Sequence, residues 1–173
     1  RDSTGTVAID GLVIDKKSPS FIARHGVRRT YQQDRVPSTL TVGAYVRFVT
    51  GGKATRAEID EVLDFFECPT YFTPLSLVDV GTKRLIEVAA GVASKPKVLL
   101  LDEPAAGLDH EQHIAFGERL RQVPTKYGVT LLIIEHDLDL VRSVCSEITV
   151  LNFGEVLASG SQESVLSNPE VLK

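Results

Sequence analysis

Two adjacent carboxylates, Asp102 and Glu103, directly follow the apolar run VLLL at residues 98–101. A short apolar run without alternation predicts a strand that is covered on both faces of a parallel sheet. Ligands of such sheets bind beyond the carboxyl ends of the strands, and a magnesium ion with nucleotide phosphates would relieve the repulsion between two neighbouring acids. The alternative, an acid that only caps the next helix, is disfavoured by the proline and small residues that follow.

A second apolar run, VTLLII at residues 129–134, leads into Glu135, His136 and Asp137. The intervening HEQHIAFGERLRQV has helical spacing and ends before Gly128, so the predicted order is strand, helix, strand. Such units are right-handed and parallel in nearly all proteins, which brings both strand ends to one edge of the sheet. The sequence therefore predicts one polar site, although a lone histidine is more often a structural residue.

Local patterns predict the elements that position this site. TVAI and LVI flank Asp10 and Gly11, a pair typical of a tight β-hairpin turn. Residues 38–93 have helical spacing, with a capping-box pattern that begins at Thr55 and a last helix through TKRLIEVAAGVA. A short helix through DLDLVRSV, the strands ITVLN and EVLAS, and a closing helix after Ser161 complete the predicted order.

Composition restricts the class of protein. The 173 residues, 43% apolar and 24% charged, suffice for one core with a small additional lobe. The net charge of −4 argues against a general affinity for nucleic acid or anionic lipid. No apolar run approaches the roughly 18 residues of a membrane-spanning helix. Cys68 and Cys145 have no metal-ligand spacing, so we expect two small core residues in a reducing compartment.

Together, these motifs resemble the ATP-binding cassette (ABC) ATPases from Thr4 to Leu172. LLLDEPAAGLD is similar to the Walker B and D-loop segments of that family, and IIEHD to its switch-histidine segment. RRTYQQ resembles the Q-loop, GTKRLIEVAAGVA the helix after the family signature, and NFGEVLASGSQESVLSNPEVL the end of the catalytic domain. Within the family, RTYQ, AAGLD and EHDLDLV are most similar to the ATPase subunits of branched-chain amino-acid importers.

The resemblance implies an α/β fold: a P-loop NTPase-like parallel-sheet core, N-terminally truncated, with an inserted helical subdomain and an opening β-hairpin. The chain would be a single ABC ATPase domain fragment with three parts. Residues 1–32 would form the hairpin and the entry to the Q-loop, residues 33–95 the helical (signature) subdomain, and residues 96–173 the catalytic-core part with Walker B, D-loop and switch histidine.

The resemblance also implies roles at the predicted site. Asp102 would hold Mg²⁺ through water, and Glu103 would polarise the water that attacks the γ-phosphate of ATP. His136 would contact that phosphate and the attacking water. Gln32, with Gln33 as the neighbouring alternative, would ligate the magnesium and report the nucleotide state to the helical subdomain.

Two further positions correspond to the dimer interface of the family. Asp109 matches the D-loop aspartate, and Gly81 matches the last glycine of the signature loop, whose amides would face the γ-phosphate of the partner subunit. The sequence departs from the family pattern at Asp79 and Val80, where a serine and a glycine are usual. A carboxylate near a triphosphate is expected to weaken binding by repulsion. An alternative frame that begins the signature at Leu75 would misplace the following helix.

The phosphate-binding string G-x-x-x-x-G-K-[ST] does not occur in the chain. Gly51, Gly52 and Lys53 are the nearest match, but Ala54 stands where a hydroxyl is needed, so we expect an ordinary loop there. In the family this string precedes the opening strand pair. Since the sequence also contains no methionine, we expect it to be the C-terminal part of a longer ATPase, with poor ATP binding and negligible hydrolysis by this chain alone.

For the intact protein, the resemblance implies a transport-coupled ATPase at the cytoplasmic face of the cell membrane. Its partners would be a second cassette and integral membrane permease subunits bound through the helical subdomain, without nucleic acid and without direct membrane insertion. A soluble ABC protein of translation or repair is an alternative that the acidic balance disfavours. A degenerate, non-catalytic cassette is another, which Asp79 favours and which Glu103 and His136 disfavour.

Overall fold

The computed structural model describes residues 4–30 and 36–171. Strands and helices alternate along most of this length. Their order is β1 (Ala8–Ile9), β2 (Leu12–Val13), α1 (Pro19–Arg24), β3 (Val27–Arg29), α2 (Val42–Val49), α3 (Arg56–Phe65), a 3₁₀ turn (Leu75–Leu77), α4 (Val80–Ala93), β4 (Val98–Asp102), α5 (His110–Tyr127), β5 (Thr130–Ile134), α6 (Leu138–Val144), β6 (Glu147–Asn152), β7 (Glu155–Ser161) and α7 (Gln162–Leu166).

The central sheet contains β3, β4 and β5, which are parallel, with β4 in the middle. Asp102, the last residue of β4, pairs with Ile134, the last residue of β5, so both strands end at the same edge. Helix α5 connects them and ends at Gly128, whose φ of 68° is a left-handed helix cap. The predicted strand–helix–strand unit is confirmed.

Two antiparallel hairpins flank this sheet in sequence. Strands β1 and β2 pair across Asp10 and Gly11, whose φ values are 49° and 77°, as the predicted tight turn requires. Strands β6 and β7 pair across Phe153 and Gly154, with φ values of 46° and 87°. Both hairpins therefore occur where the sequence predicts them. Helix α1, by contrast, was not anticipated.

The middle of the chain is helical, as predicted. Thr55 caps α3 and forms the reciprocal capping box with Glu58. Helix α4 begins at Val80, two residues earlier than the expected start at Thr82, because the carboxylate of Asp79 caps it. Among the described helices, none is long and apolar enough to cross a membrane.

One hydrophobic core joins the parallel sheet and helices α4 and α5 to helices α2 and α3. Leu99 and Leu101 of β4 point into it and are fully buried. The opposite face of the sheet is open: Leu132 and Ile134 of β5 are 53% and 56% exposed. The expectation that both apolar strands are covered on both faces is therefore wrong for β5, because none of the described elements packs over that face.

The cysteines form no disulfide and are partly buried. Burial raises the pKa of the Cys68 thiol to about 12, and it also raises the pKa of the Cys145 thiol. Both side chains therefore stay protonated at neutral pH. They are less deeply buried than the core positions that the sequence predicts for them.

Candidate active site at the ends of the parallel strands

Asp102 has a cationic partner within the chain. Arg29, the last residue of β3, donates from Nη2 to Oδ2 of Asp102 over 3.0 Å. The backbone N–H of Asp102 donates to Oγ1 of the buried Thr30 over 3.3 Å. Arg29 and Thr30 were not among the site residues predicted from the sequence. The only signal for them was their position in RRTYQQ, before the Q-loop glutamine.

Glu103 and His136 lie at the same rim. The Nδ1 atom of His136 is 3.6 Å from Oε1 of Glu103, and the side chains are 83% and 32% exposed. Glu103 has a φ of 45°, in the left-handed region, and its N–H donates to the carbonyl of Ile134 over 2.9 Å. This bond continues the pairing of β4 with β5 by one residue. The strand ends therefore bring the predicted acid and histidine together.

A buried carboxylate supports the loop that carries His136. The side chain of Glu135 is only 3% exposed, and its Oε2 accepts from the N–H groups of His136 (3.1 Å) and Asp137 (3.4 Å). Asp137 in turn caps α6 by accepting from the N–H groups of Asp139 and Leu140. The bond from Leu140 is the main cause that lowers the pKa of Asp137. Glu135 and Asp137, the two neighbours of His136 in sequence, therefore both fix the backbone of this loop through hydrogen bonds.

A second histidine approaches this loop from α5. Nε2 of His113 is 3.3 Å from Oδ2 of Asp137, yet it is buried and makes no hydrogen bond within the described residues. This contact was not predicted from the sequence. His113 and Asp137 are 24 positions apart, and only the packing of α5 against α6 brings them close.

Curated relatives cover nearly the whole chain. The high-affinity branched-chain amino acid transport ATP-binding protein LivG of Salmonella typhimurium is 30% identical over 192 residues, which cover 98% of this chain and 74% of LivG. The chain belongs to the ATP-binding proteins of ABC transporters. The methionine import ATP-binding protein MetN of Myxococcus xanthus is 31% identical over 180 residues, which cover 98% of the chain and 54% of MetN. No protein-family model matches the chain.

Solved ABC cassettes share the fold. The cbiO1 protein of Clostridium perfringens, part of the ABC transporter complex cbiONQ, matches with a TM-score of 0.81 and 27% identity, over 98% of this chain and 71% of its own. A dimeric cassette in a post-hydrolysis state with ADP and Pi matches with a TM-score of 0.78 and 18% identity, over 92% and 74% of the two chains. The predicted α/β ABC ATPase fold is confirmed.

Within this fold, Asp109 acts as the N-cap of α5. Its Oδ1 accepts from the N–H of Gln112 over 2.9 Å, and Oε1 of Gln112 accepts from the N–H of Asp109 over 3.2 Å. The D-loop aspartate is thus also a helix cap. Its function across a dimer interface stays a prediction.

The loop before α5, the predicted D-loop, touches the start of α4, the helix at the predicted signature. A Cβ atom on the buried Gly81 would lie 2.7 Å from the carbonyl oxygen of Gly107, closer than any side chain tolerates. Gly107 itself has a φ of 85°. Glycine at position 81 is therefore explained within one chain, by the close approach of two backbones.

Asp79 occupies the amide donors at the start of α4. Its Oδ1 accepts from the N–H of Thr82 over 2.9 Å, and its Oδ2 accepts from Oγ1 of Thr82 over 2.6 Å. The Thr82 hydroxyl is the main cause that lowers the pKa of Asp79. The helix start at Val80 places Gly81 in the first turn of α4, and the assignment of Gly81 to the signature loop stays a prediction. The alternative frame at Leu75 coincides with a 3₁₀ turn, so it begins no long helix.

The remaining sequence predictions concern two loops. Gln32, and its alternative Gln33, lie outside the described residues. Gly51 and Gly52 form a turn after α2 with φ values of 64° and 75°. The expectation of an ordinary loop before Lys53 is confirmed.

The chemistry of the rim suits magnesium with nucleotide phosphates. Among the described residues, no three His, Cys, Asp or Glu side chains are grouped as a metal site. Magnesium, however, usually keeps several waters and takes only one or two carboxylates from the protein when phosphates are present. Asp102 and Glu103 supply oxygen donors of this kind, and Arg29 competes for one oxygen of Asp102.

Proposed function

We propose that this chain carries the water-activating, magnesium-binding and switch groups of an ABC importer ATPase. The observation that supports the proposal best is the 3.6 Å approach of Glu103 Oε1 to His136 Nδ1, next to Asp102. Hydrolysis of a phosphoanhydride depends mainly on positioning and charge neutralisation, which such a rim can provide.

Each group has a distinct role in this proposal. The Glu103 carboxylate accepts a hydrogen bond from the attacking water and orients its lone pair toward the γ-phosphate of ATP. His136 donates to a γ-phosphate oxygen. The Glu135 carboxylate positions His136 by accepting from the backbone N–H of that residue. Asp102 and Gln32 would hold Mg²⁺, which supplies neutralisation of the phosphate charge when bound. Gly81 and Asp109 would act at the interface with a second cassette.

We further propose that the transported solutes are branched-chain amino acids or related amino acids, as the names of LivG and MetN suggest. The permease subunits would bind the helical subdomain at residues 33–95, between the hairpin part (1–32) and the catalytic-core part (96–173). Exposed apolar side chains at Phe48, Phe72 and Leu77 support this. The intact protein would then be a peripheral subunit at the cytoplasmic face of the membrane.

By itself, this chain is expected to bind ATP weakly and to hydrolyse it negligibly. The backbone amides and lysine of a P-loop supply most contacts to the β- and γ-phosphates, and that string does not occur in the sequence. Titration of the chain with ATP and Mg²⁺ by calorimetry tests this. A micromolar dissociation constant would contradict it.

The test of the catalytic proposal uses the natural gene product that contains this chain. Glu103→Gln should lower the ATPase rate by roughly 10²–10⁴-fold, as expected for loss of a general base. Glu111→Gln removes the same charge from an exposed position in the first turn of α5 and should leave the rate unchanged. Equal rates for wild type and Glu103→Gln would exclude Glu103 as the catalytic residue.

The partner is tested by co-purification with an integral membrane permease. Phe48→Ser should reduce the recovered permease, whereas Phe153→Ser, at the fully exposed tip of the β6–β7 hairpin, serves as the matched control. Recovery of ribosomes or DNA instead would favour the soluble, non-transport alternative.

A regulatory, non-catalytic cassette is the second candidate, and the capping carboxylate of Asp79 favours it. Because Asp79 already occupies the amide of Thr82, the α4 terminus offers less to a phosphate. Asp79→Ser in the natural gene product should raise the ATPase rate if the carboxylate opposes nucleotide binding. A wild-type rate that Glu103→Gln does not change would support the non-catalytic function.

A further inference from the structure

A second polar region lies at the opposite end of the parallel sheet. A cavity of about 380 Å³ opens where β3 and β4 begin, beside Gly26 and Pro96. It is separated from Asp102 by the length of β4, roughly 13 Å for four residue steps. Its volume is at the lower end of the range for small-molecule sites. Nothing in the proposed ATPase function uses this cavity.

Small side chains create the space. The ends of three helices and the loop before α3 meet there, and four of the lining residues have little or no side chain. These residues are Ala23, Gly26, Ala54 and Ala93. Gly26 has a φ of 94°, and a Cβ there would lie 2.8 Å from Cγ of Lys97. The backbone at the entry to β3 therefore excludes larger residues.

Basic side chains surround this space. Arg24, Arg28, Lys53 and Lys95 line the cavity, and Glu58 is the only acid among the described lining residues. Lys95 pairs with Glu58 through Nζ and Oε1 at 2.5 Å. Within the part of the chain that the structure describes, no ion pair neutralises the other three cations. Their positive charge is therefore available to a ligand.

Helix dipoles account for only part of this charge. Helices α1, α2 and α4 end at Arg24, Thr50 and Ser94 beside the cavity, and each helix end carries up to roughly half a negative charge. Subtracting these three helix ends and Glu58 from the four cations leaves an excess of about 1.5 positive charges. Fewer cations would suffice to neutralise the helix ends, so stabilisation of the helices does not explain the excess positive charge.

We propose that this cavity binds a small phosphate monoester, which carries nearly two negative charges at neutral pH. Arg24 and Arg28 offer forked donors that match phosphate oxygens, and Lys53 adds a mobile point charge. The space left by the small lining residues accommodates the carbon skeleton. Bound ligand would join the start of β3, the loop before α3 and the end of α4, and thus link the helical subdomain to the sheet.

The test titrates this chain with glycerol 3-phosphate and, as the uncharged control, with glycerol, by two-dimensional amide NMR. We expect a dissociation constant of roughly 1 mM or lower for the phosphate ester and no binding of glycerol. The shifted amides should include Gly26, Ala54 and Ser94. Shifts at Gly107 and His136 instead would place the ligand at the nucleotide rim and overturn the proposal.

Arg28→Gln combined with Lys53→Gln should weaken this binding at least tenfold. The matched control is Arg121→Gln, an exposed position on α5 outside the cavity. A thermal melt checks that the double variant folds. If it does not, the wild-type chain still tests the site, because raising NaCl from about 20 to 500 mM should weaken binding of the dianion strongly. Salt-independent binding, no binding to wild type, or equal binding by the double variant would overturn the proposal.

Discussion

The two faces of the β3–β5 sheet differ although the same strands form both. On one face, Leu99 and Leu101 are fully buried beneath the helices. On the other, Leu132 and Ile134 remain more than half exposed, and the Arg29–Asp102 ion pair lies at the edge. Alternation along a strand sends successive residues to opposite faces. A continuous apolar run therefore places apolar side chains on both faces of the sheet, but it does not show which elements cover each face.

The difference also separates stability from function in this chain. The helix-covered face contributes the hydrophobic core and should dominate the free energy of unfolding. The open face carries apolar residues with little burial and ends in the groups of the proposed nucleotide rim. Substitutions on the two faces should therefore have very different consequences, and four experiments examine that contrast.

The largest effect is expected from Leu101→Ala on the covered face. Loss of a fully buried leucine side chain should lower the free energy of unfolding by about 2–5 kcal/mol. Urea unfolding followed by circular dichroism measures this. A loss no larger than that caused by Leu132→Ala would show that the two faces are equivalent, against the structure.

Gly81→Ala should cost about 1–3 kcal/mol, because its new Cβ would press against the carbonyl oxygen of Gly107 and displace α4 from the D-loop. Helix propensity alone would favour alanine by up to about 1 kcal/mol, so the two explanations predict opposite signs. Val80→Ala, at the neighbouring exposed position, is the control. A stabilised Gly81→Ala variant would refute the close approach.

Helix α3 and the loop after α4 are joined by a pH-sensitive contact between Glu58 and Lys95. The hydrogen bond from Lys95 is the main cause that lowers the pKa of Glu58 from 4.5 to about 2. Because the folded-state pKa is below the unfolded one, the contribution is present above pH 4.5 and is lost as the pH falls from 4.5 toward 2. Glu58→Gln should remove a small part of the pH dependence of Tm in that window. Unchanged pH dependence, with Glu111→Gln as control, would contradict it.

The smallest effect on stability is expected from Leu132→Lys on the open face. The side chain is already 53% exposed, so the free energy of unfolding should change by less than about 0.5 kcal/mol. Self-association through the exposed apolar face should decrease, which sedimentation at several concentrations detects. Destabilisation as large as that of Leu101→Ala would mean that Leu132 is covered in solution.

Local signals predicted many of these elements well. Three of them depend only on a few consecutive residues: the turn at Asp10 and Gly11, the capping box at Thr55 and the end of α5 at Gly128. Their backbone angles and hydrogen bonds are determined by neighbours in sequence. The site was predicted less completely. The acids and His136 followed from the strand ends, whereas Arg29 could be recognised only once β3 was known to pair with β4.

By itself, the sequence determined most of the strands and helices, except α1 and β3, and which polar residues stand at the ends of the apolar runs. Only the tertiary structure decided that Arg29 pairs with Asp102 across 73 positions, that His113 meets Asp137, and that basic residues surround a cavity at the far edge of the sheet. The reason is physical. Backbone angles and caps depend on neighbours in sequence, whereas ion pairs, cavities and exposed faces depend on which distant segments pack together.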